Sequence, residues 1–302
     1  CHALCYNAAT SVAFRESEEK MATMPPTTLE TLPSAHRNGG YEPRLDAPDD
    51  GRAVSKAEYW ATYYNHPDAS YEWNDGYLEA KPLSTPLQYN LYLWFLSLLQ
   101  QYLQVYQTGQ LMGLETGFTM IIPDLKLPGR NKEAVRKPDI AMIRHDNPTP
   151  WGEGDHAYAG ICDLCIEVLS DSKKSEIERD TKTKKAEYAF AGVQEYYILD
   201  ANEEHMHFYV STTLGQYTEI VPDADGMIHS TILPGFQFRL RDLYLMPTLE
   251  MMAHDPVYQG YVLLDYQQAV VRADAEAAAR RAAEAELALV KAELARLRAQ
   301  LP

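Results

Sequence analysis

Val135–Ile143 reads VRKPDIAMI, and Ile161–Asp200 reads ICDLCIEVLSDSKKSEIERDTKTKKAEYAFAGVQEYYILD. The second stretch decides the fold. ICDLCIEVL is apolar almost throughout, the pattern of a strand covered on both faces. The residues from Ser175 to Ala191 form a charged helix that stops at Gly192, the usual terminator, and EYYILD returns as a strand. One residue is out of character. On a strand, Asp163, Cys165, Glu167 and Leu169 share one face, and Leu164, Ile166 and Val168 the other. A glutamate in the middle of such a strand is costly to bury unless it is paired or bound to a cation. The segment that follows offers Lys173, Lys174, Arg179, Lys182, Lys184 and Lys185.

Outward from this stretch the chain reads as one domain with two appendages. Residues 1–54 show no sustained period and few large apolar side chains, which predicts a disordered segment. They lack the basic and apolar regions of a secretory signal. SKAEYWATYYNHP, from Ser55, has the capping-box spacing of a helix start. YEWNDGYLEAKP reads as a hairpin turning at Asn74-Asp75-Gly76. Thr85 to Tyr106 places Leu91, Phe95, Leu98, Leu99 and Tyr102 at helical spacing. LMGLETGFTMII is expected as one strand, a charged loop runs through Asn131, and VRKPDIAMI is expected as the next strand. HMHFYV and QYTEIV extend the sheet, and LPGFQFRLRDLY closes a domain expected to span 55–250. From 267 to 302 the chain becomes rich in Ala, Glu and Arg. There Leu287, Val290, Leu294, Leu297 and Leu301 follow a 3-4-3-4 spacing. That is a short heptad seam, read either as a self-associating helix or as a solvated tail.

Composition excludes several classes. The longest apolar-looking run, Leu91 to Leu103, is too short for a membrane span and contains polar residues. Forty-three acids against 27 bases give a net charge of −16, the opposite of a protein that coats duplex DNA electrostatically. A local site holding a divalent cation remains compatible with that charge. Four cysteines are too few for a disulfide scaffold. Cys162 and Cys165, three apart on a strand, point to opposite faces, which predicts buried thiols of a cytoplasmic protein rather than a zinc knuckle. His205 and His207 share a strand face without a third ligand. No phosphate-binding glycine loop, GxSxG elbow or HExxH occurs.

Two carboxylates on neighbouring strands, Asp139 and Glu167, with a lysine nearby are the minimum a phosphodiesterase needs. Mg²⁺ is a hard ion that takes one or two carboxylates and keeps several waters. It polarises a phosphoryl oxygen and acidifies bound water. A lysine orients that water or neutralises developing charge. Spacing alone is weak evidence for such a site, because any α/β protein holds a PD and a later ExL.

The wider string is more specific. Pro138-Asp139, Glu167-Val168-Leu169-Ser170, Asp180…Lys184…Tyr188, Gly192-Val193-Gln194-Glu195-Tyr196-Tyr197 and Asp200 follow one another in order. This string resembles the restriction endonuclease family abundant in cyanobacteria, within the PD-(D/E)XK nuclease superfamily. YEWNDG and LPGFQFRLRDLY are similar to the family's hairpin and closing segments, so the resemblance covers roughly residues 55–246. It implies an α/β fold of restriction-endonuclease type, with a mixed central sheet flanked by helices, and a C-terminal helical or coiled-coil tail. It implies Asp139 and Glu167 as ligands of Mg²⁺ (or Mn²⁺), with the Val168 carbonyl as a third, and Glu72 as an acid supplied by the N-terminal element. The superfamily's lysine position, two residues after the second acid, is Leu169 here. Lys184, at the family's D-x3-K position, is the expected replacement. Gln88 stands where the family often has His, and EYW is EYY.

Two readings follow. One is a Mg²⁺-dependent DNA endonuclease whose catalytic residues are Asp139, Glu167, Lys184 and Glu72, working as a homodimer joined through the tail. The other is a catalytically silent nuclease fold kept as an interaction or nucleic-acid-binding module and oligomerised by its helical tail.

Overall fold

A computed structural model describes residues 47–113, 115–170 and 173–299. Most of the segment expected to be disordered lies outside them. Its last part is described, and Ala47 and Val54 pack with Tyr59, Tyr71 and Trp73. Ser55 caps helix α1 (56–63), its hydroxyl accepting the Glu58 N–H at 3.1 Å, and α1 widens to a π turn over Tyr59–Tyr63. Strands β1 (Tyr71–Asn74) and β2 (Tyr77–Ala80) form the expected hairpin. Asp75 and Gly76 turn it with φ of 49° and 99°, the left-handed pair that a two-residue loop requires. Thr85 opens α2 (Pro86–Tyr106) with a complete capping box: Gln88 Oε1 accepts the Thr85 N–H at 2.8 Å, and Thr85 Oγ1 accepts the Gln88 N–H.

Two stretches expected as single strands are each divided between two sheets. LMGLETGFTMII becomes β3 (Gly109–Met112) and β4 (Phe118–Pro123). The chain crosses between sheets at Gly117, where a Cβ would meet the Arg136 carbonyl, Lys137 and the Tyr64 ring at 3.2 Å. VRKPDIAMI is likewise cut into the end of β5 (Asn131–Arg136) and most of β6 (Ile140–Arg144). Pro138 has no N–H to extend a ladder, so pairing stops on either side of it. Asp139 therefore sits at the joint of the two sheets.

The remaining elements are β7 (Leu164–Val168), α3 (174–191), β8 (Glu195–Leu199), β9 (His207–Thr213), β10 (Gln216–Glu219), β11 (Met227–His229) and β12 (Gln237–Arg239). Short helices α4 (Asp242–Leu245) and α5 (Leu249–Ala253) and the long α6 (Leu264–Ala299) follow. The larger sheet has the order β10-β9-β8-β7-β6-β3. Among its described strand pairs, β7 and β8 alone run parallel, joined by α3 as the crossover a parallel pair needs. The smaller antiparallel sheet has the order β2-β1-β5-β4. The expectation of a mixed sheet flanked by helices thus holds.

β7 is buried on both faces, as its composition predicts. Leu164, Ile166 and Val168 pack with Leu91, Phe95 and Leu98 of α2. Cys165 and Leu169 pack on the other side with Tyr188 of α3 and Met120 of β4. The core runs past residue 250, since Tyr258, Tyr261 and Val262 are buried with the α2 side. Helix α6 has no buried residue. Among the described residues, no helix is long and apolar enough to cross a membrane.

Candidate active site

The strand register brings the two expected acids together. β6 pairs Ile140 with Ile166 of β7, so Asp139, one residue before β6, stands opposite Glu167. They share a cleft with Lys81, Pro82, Ser84, Val168, Ser170, Arg179, Asp180 and Lys184. Its free volume of about 20 Å³ suffices for one water-sized body.

Lys184 arrives from α3. Its Nζ lies 3.0 Å from Glu167 Oε1, 3.3 Å from Glu72 Oε1 and 3.5 Å from Asp180 Oδ1. α3 is π-helical over Arg179–Lys184, and such single wide turns recur at functional sites. Arg179, Asp180 and Lys184 all reach the cleft from this turn. Leu169, at the superfamily's lysine position, is buried in apolar core. The cation therefore comes from the helix rather than from the strand. Tyr188, one α-helical turn further on, donates its hydroxyl to Glu167 Oε1 at 2.8 Å. Gln88 also has a defined place: beyond capping α2, its Nε2 donates to the Leu169 carbonyl at 3.0 Å, tying the helix start to the strand end that carries Glu167.

The charges do not balance evenly. Burial, reinforced by the carboxylates of Asp139, Asp180 and Glu72, outweighs Lys184 and pushes Glu167 up to about 8. Burial also raises Asp180, whose Oδ1 is buried and accepts no hydrogen bond among the described residues. Lys184 is held above the usual lysine range. Burial opposes this, but Glu167, Glu72 and Asp180 prevail. These three carboxylates favour its charged form.

Glu72 occupies a different position from the one its expected role suggests. It is fully buried and absent from the cleft lining. Its Oε1 accepts the Lys137 backbone N–H at 2.8 Å and its Oε2 pairs with Arg136 Nη1 at 3.0 Å. Burial opposes its ionisation, yet Lys184, Arg136 and Arg179 hold it well below the usual carboxylate range. Glu72 braces Lys184 from behind. Arg136, itself fully buried, ties Glu72, Glu79 and Glu187 together. Other acids of the motif string serve the fold. Glu195 accepts the Thr231 N–H at 2.6 Å and the Ser230 hydroxyl at 2.8 Å. Asp200 accepts the backbone N–H groups of Asn202, Glu204 and His205.

Sequence reasoning missed Lys81 and the placement of Arg179. Lys81 Nζ lies 2.9 Å from Asp139 Oδ1, while Asp139 Oδ2 accepts the Val168 N–H at 2.8 Å. Arg179 donates to the Ala80 carbonyl at 2.9 Å. Lys81 lies one residue past a strand end and before a proline, where strand alternation no longer says which way a side chain points.

The residues fit a hard divalent cation. Asp139 and Glu167 offer oxygen ligands at one cleft, beside Val168. Asp180, whose Oδ1 accepts no hydrogen bond among the described residues, adds a third carboxylate to the lining, against the cations Lys81, Arg179 and Lys184. No three acids, histidines or thiols form a preformed metal cage among the described residues. Carboxylate oxygens are donors for a hard cation, unlike the nitrogen and sulfur donors usual at a zinc centre.

Residues 57–242 match the model of the family described as "Uma2: Putative restriction endonuclease". Among solved structures, the chain is similar to the crystal structure of a putative nuclease belonging to DUF820 from Anabaena variabilis ATCC 29413. The two are 16% identical with a TM-score of 0.49, over 64% of this chain and 98% of that one. No curated protein matches.

Proposed function

Because the chain belongs to the Uma2 family, described as putative restriction endonucleases, we propose that it is a Mg²⁺- or Mn²⁺-dependent DNA endonuclease. The observation that carries this reading is the meeting of Asp139, Glu167 and Lys184 in one cleft. Asp139 and Glu167, with the Val168 carbonyl, would hold the cation. Bound there, it would supply Lewis acidity at the phosphoryl group and acidify water. Lys184, favoured in its charged form, stabilises negative charge that grows on the phosphate. Tyr188 and Glu72 hold Glu167 and Lys184 in place. Lys81 and Arg179 put two further cations at the cleft, a local attraction for a DNA phosphate within a chain of net charge −16.

The direct test is nicking of supercoiled plasmid by the full chain with Mg²⁺, Mn²⁺ or EDTA. Cutting with either metal and none in EDTA is the expected result. One observation favours the silent-module reading: both Asp139 oxygens are already engaged, by Lys81 and the Val168 N–H. A folded protein that neither cuts nor binds Mn²⁺ near millimolar concentration would establish that reading instead.

Lys81→Met separates the roles of the two lysines. Freed of its ion pair, Asp139 should bind Mn²⁺ about tenfold more tightly by calorimetry, a gain of about 1.4 kcal/mol. Nicking at saturating metal should fall by about tenfold, because a phosphate-facing cation is lost. Unchanged Mn²⁺ affinity would show that Lys81 does not compete for Asp139.

A further inference from the structure

Helix α6 contributes no residue to the cleft lining. Its 36 residues, none of them buried, extend about 54 Å at 1.5 Å per residue. Leu287, Val290, Leu294 and Leu297 are 52%, 59%, 46% and 51% exposed, a stripe at 3-4-3 spacing on one helix face. With Leu287 and Leu294 at a and Val290 and Leu297 at d, Glu286 and Glu293 fall at g, and Lys291 and Arg298 at e. In a parallel, in-register pair each g residue faces the e residue five positions on in the partner helix. Glu286 then meets Lys291 and Glu293 meets Arg298, on both sides of the seam. An antiparallel pair sets g against g and e against e, which brings glutamate to glutamate and cation to cation.

The charge pattern therefore selects both the occupant and its direction. We propose that this face binds a second copy of the chain in a parallel, in-register coiled coil running from about Ala283 to the end of α6. Upstream the seam is interrupted, with Arg280 at a and Glu276 at d. Arg280 is instead paired along its own helix with Glu284 at 3.0 Å. The first half of α6 is thus a spacer between the coil and each folded body. The proposal stands whether or not the cleft cuts DNA.

Sedimentation velocity of the full chain, from micromolar to submillimolar concentration, tests it. The wild-type protein should be dimeric at the upper end, and Leu294→Asp should be monomeric with an unchanged thermal midpoint. The Glu286→Lys/Glu293→Lys protein should dimerise at least about tenfold more weakly, since four attractive pairs become repulsive. Adding Lys291→Glu and Arg298→Glu to that chain should restore dimerisation. A wild-type monomer throughout, or a Leu294→Asp dimer, would overturn the interface. Undiminished association of the Glu286→Lys/Glu293→Lys protein would overturn its parallel direction, because g-to-g contacts only exchange one repulsion for another.

Discussion

Glu167→Gln is expected to abolish metal-dependent nicking while making the metal-free protein more stable at pH 8. The loss should reach at least about a thousandfold, because the variant removes a charged ligand from a two-carboxylate site. The stability gain follows from the sign of the proton linkage. Folded Glu167 titrates near 8, whereas in an unfolded chain a glutamate titrates near its ordinary value of about 4.3. Between those values the folded state holds a proton that the unfolded state has released. Stability is therefore greatest below the unfolded value and declines as pH rises through the folded one. The decline amounts to a few kcal/mol, with each pKa unit worth about 1.4 kcal/mol. Glutamine resembles the neutral acid and escapes the decline. Urea unfolding in EDTA at pH 5 and pH 8.5 should show the two proteins alike at the lower pH and the variant ahead at the higher. Millimolar Mn²⁺ should then stabilise the wild type at pH 8.5 and leave the variant unmoved. A variant weaker at both pH values would mark Glu167 as a structural partner of Lys184, and undiminished cutting would remove it from the site.

Such a carboxylate was visible in the sequence because it broke a pattern. Glu167 stands in an apolar strand, and with Leu169 at the strand's lysine position the family resemblance points to Lys184 of α3. Local rules carried the frame equally well. Ser55 and Thr85 cap their helices, and the Asp75-Gly76 turn has two positive φ values. What periodicity could not supply was the point where a strand leaves one sheet for another. LMGLETGFTMII and VRKPDIAMI carry apolar residues on both sides of such points, and periodicity alone does not separate the two halves. The divisions at Gly117 and Pro138 depend on close packing and on a missing N–H, and the second of them positions Asp139. The same limit explains Glu72. Its strand placement was legible, but its burial beneath Arg136 and Lys184 arises from the smaller sheet folding over the larger helix crossover. Charge spacing along the chain shows that Arg136 has acidic neighbours, not that three of them converge on it in the interior.

Lys184→Met is expected to impair both cleavage and folding, and the two losses should separate with pH. Nicking should fall by at least about a hundredfold, the usual scale for removing one preorganised charge that faces the reacting group. Stability at pH 8 should fall by about 3 to 5 kcal/mol, because removing one partner leaves buried charge uncompensated. The reason is local: Glu72, Glu167 and Asp180 all converge on Lys184 Nζ within 3.5 Å. Without it their folded-state pKa values rise, the folded protein binds protons that the unfolded chain releases, and stability returns as pH falls toward 5. Glu167→Gln on the Lys184→Met background should recover part of the loss at pH 8, since one of the stranded charges is gone. The two substitutions would then be non-additive in stability, as residues sharing a contact are. Their effects on cleavage should also fail to add, because either one alone disables the same site. If Lys184→Met were destabilising but still cut plasmid at the wild-type rate once refolded with Mn²⁺, the lysine would be a structural counter-charge. The cation facing the phosphate would then be Lys81 or Arg179, the other two positive side chains at the cleft.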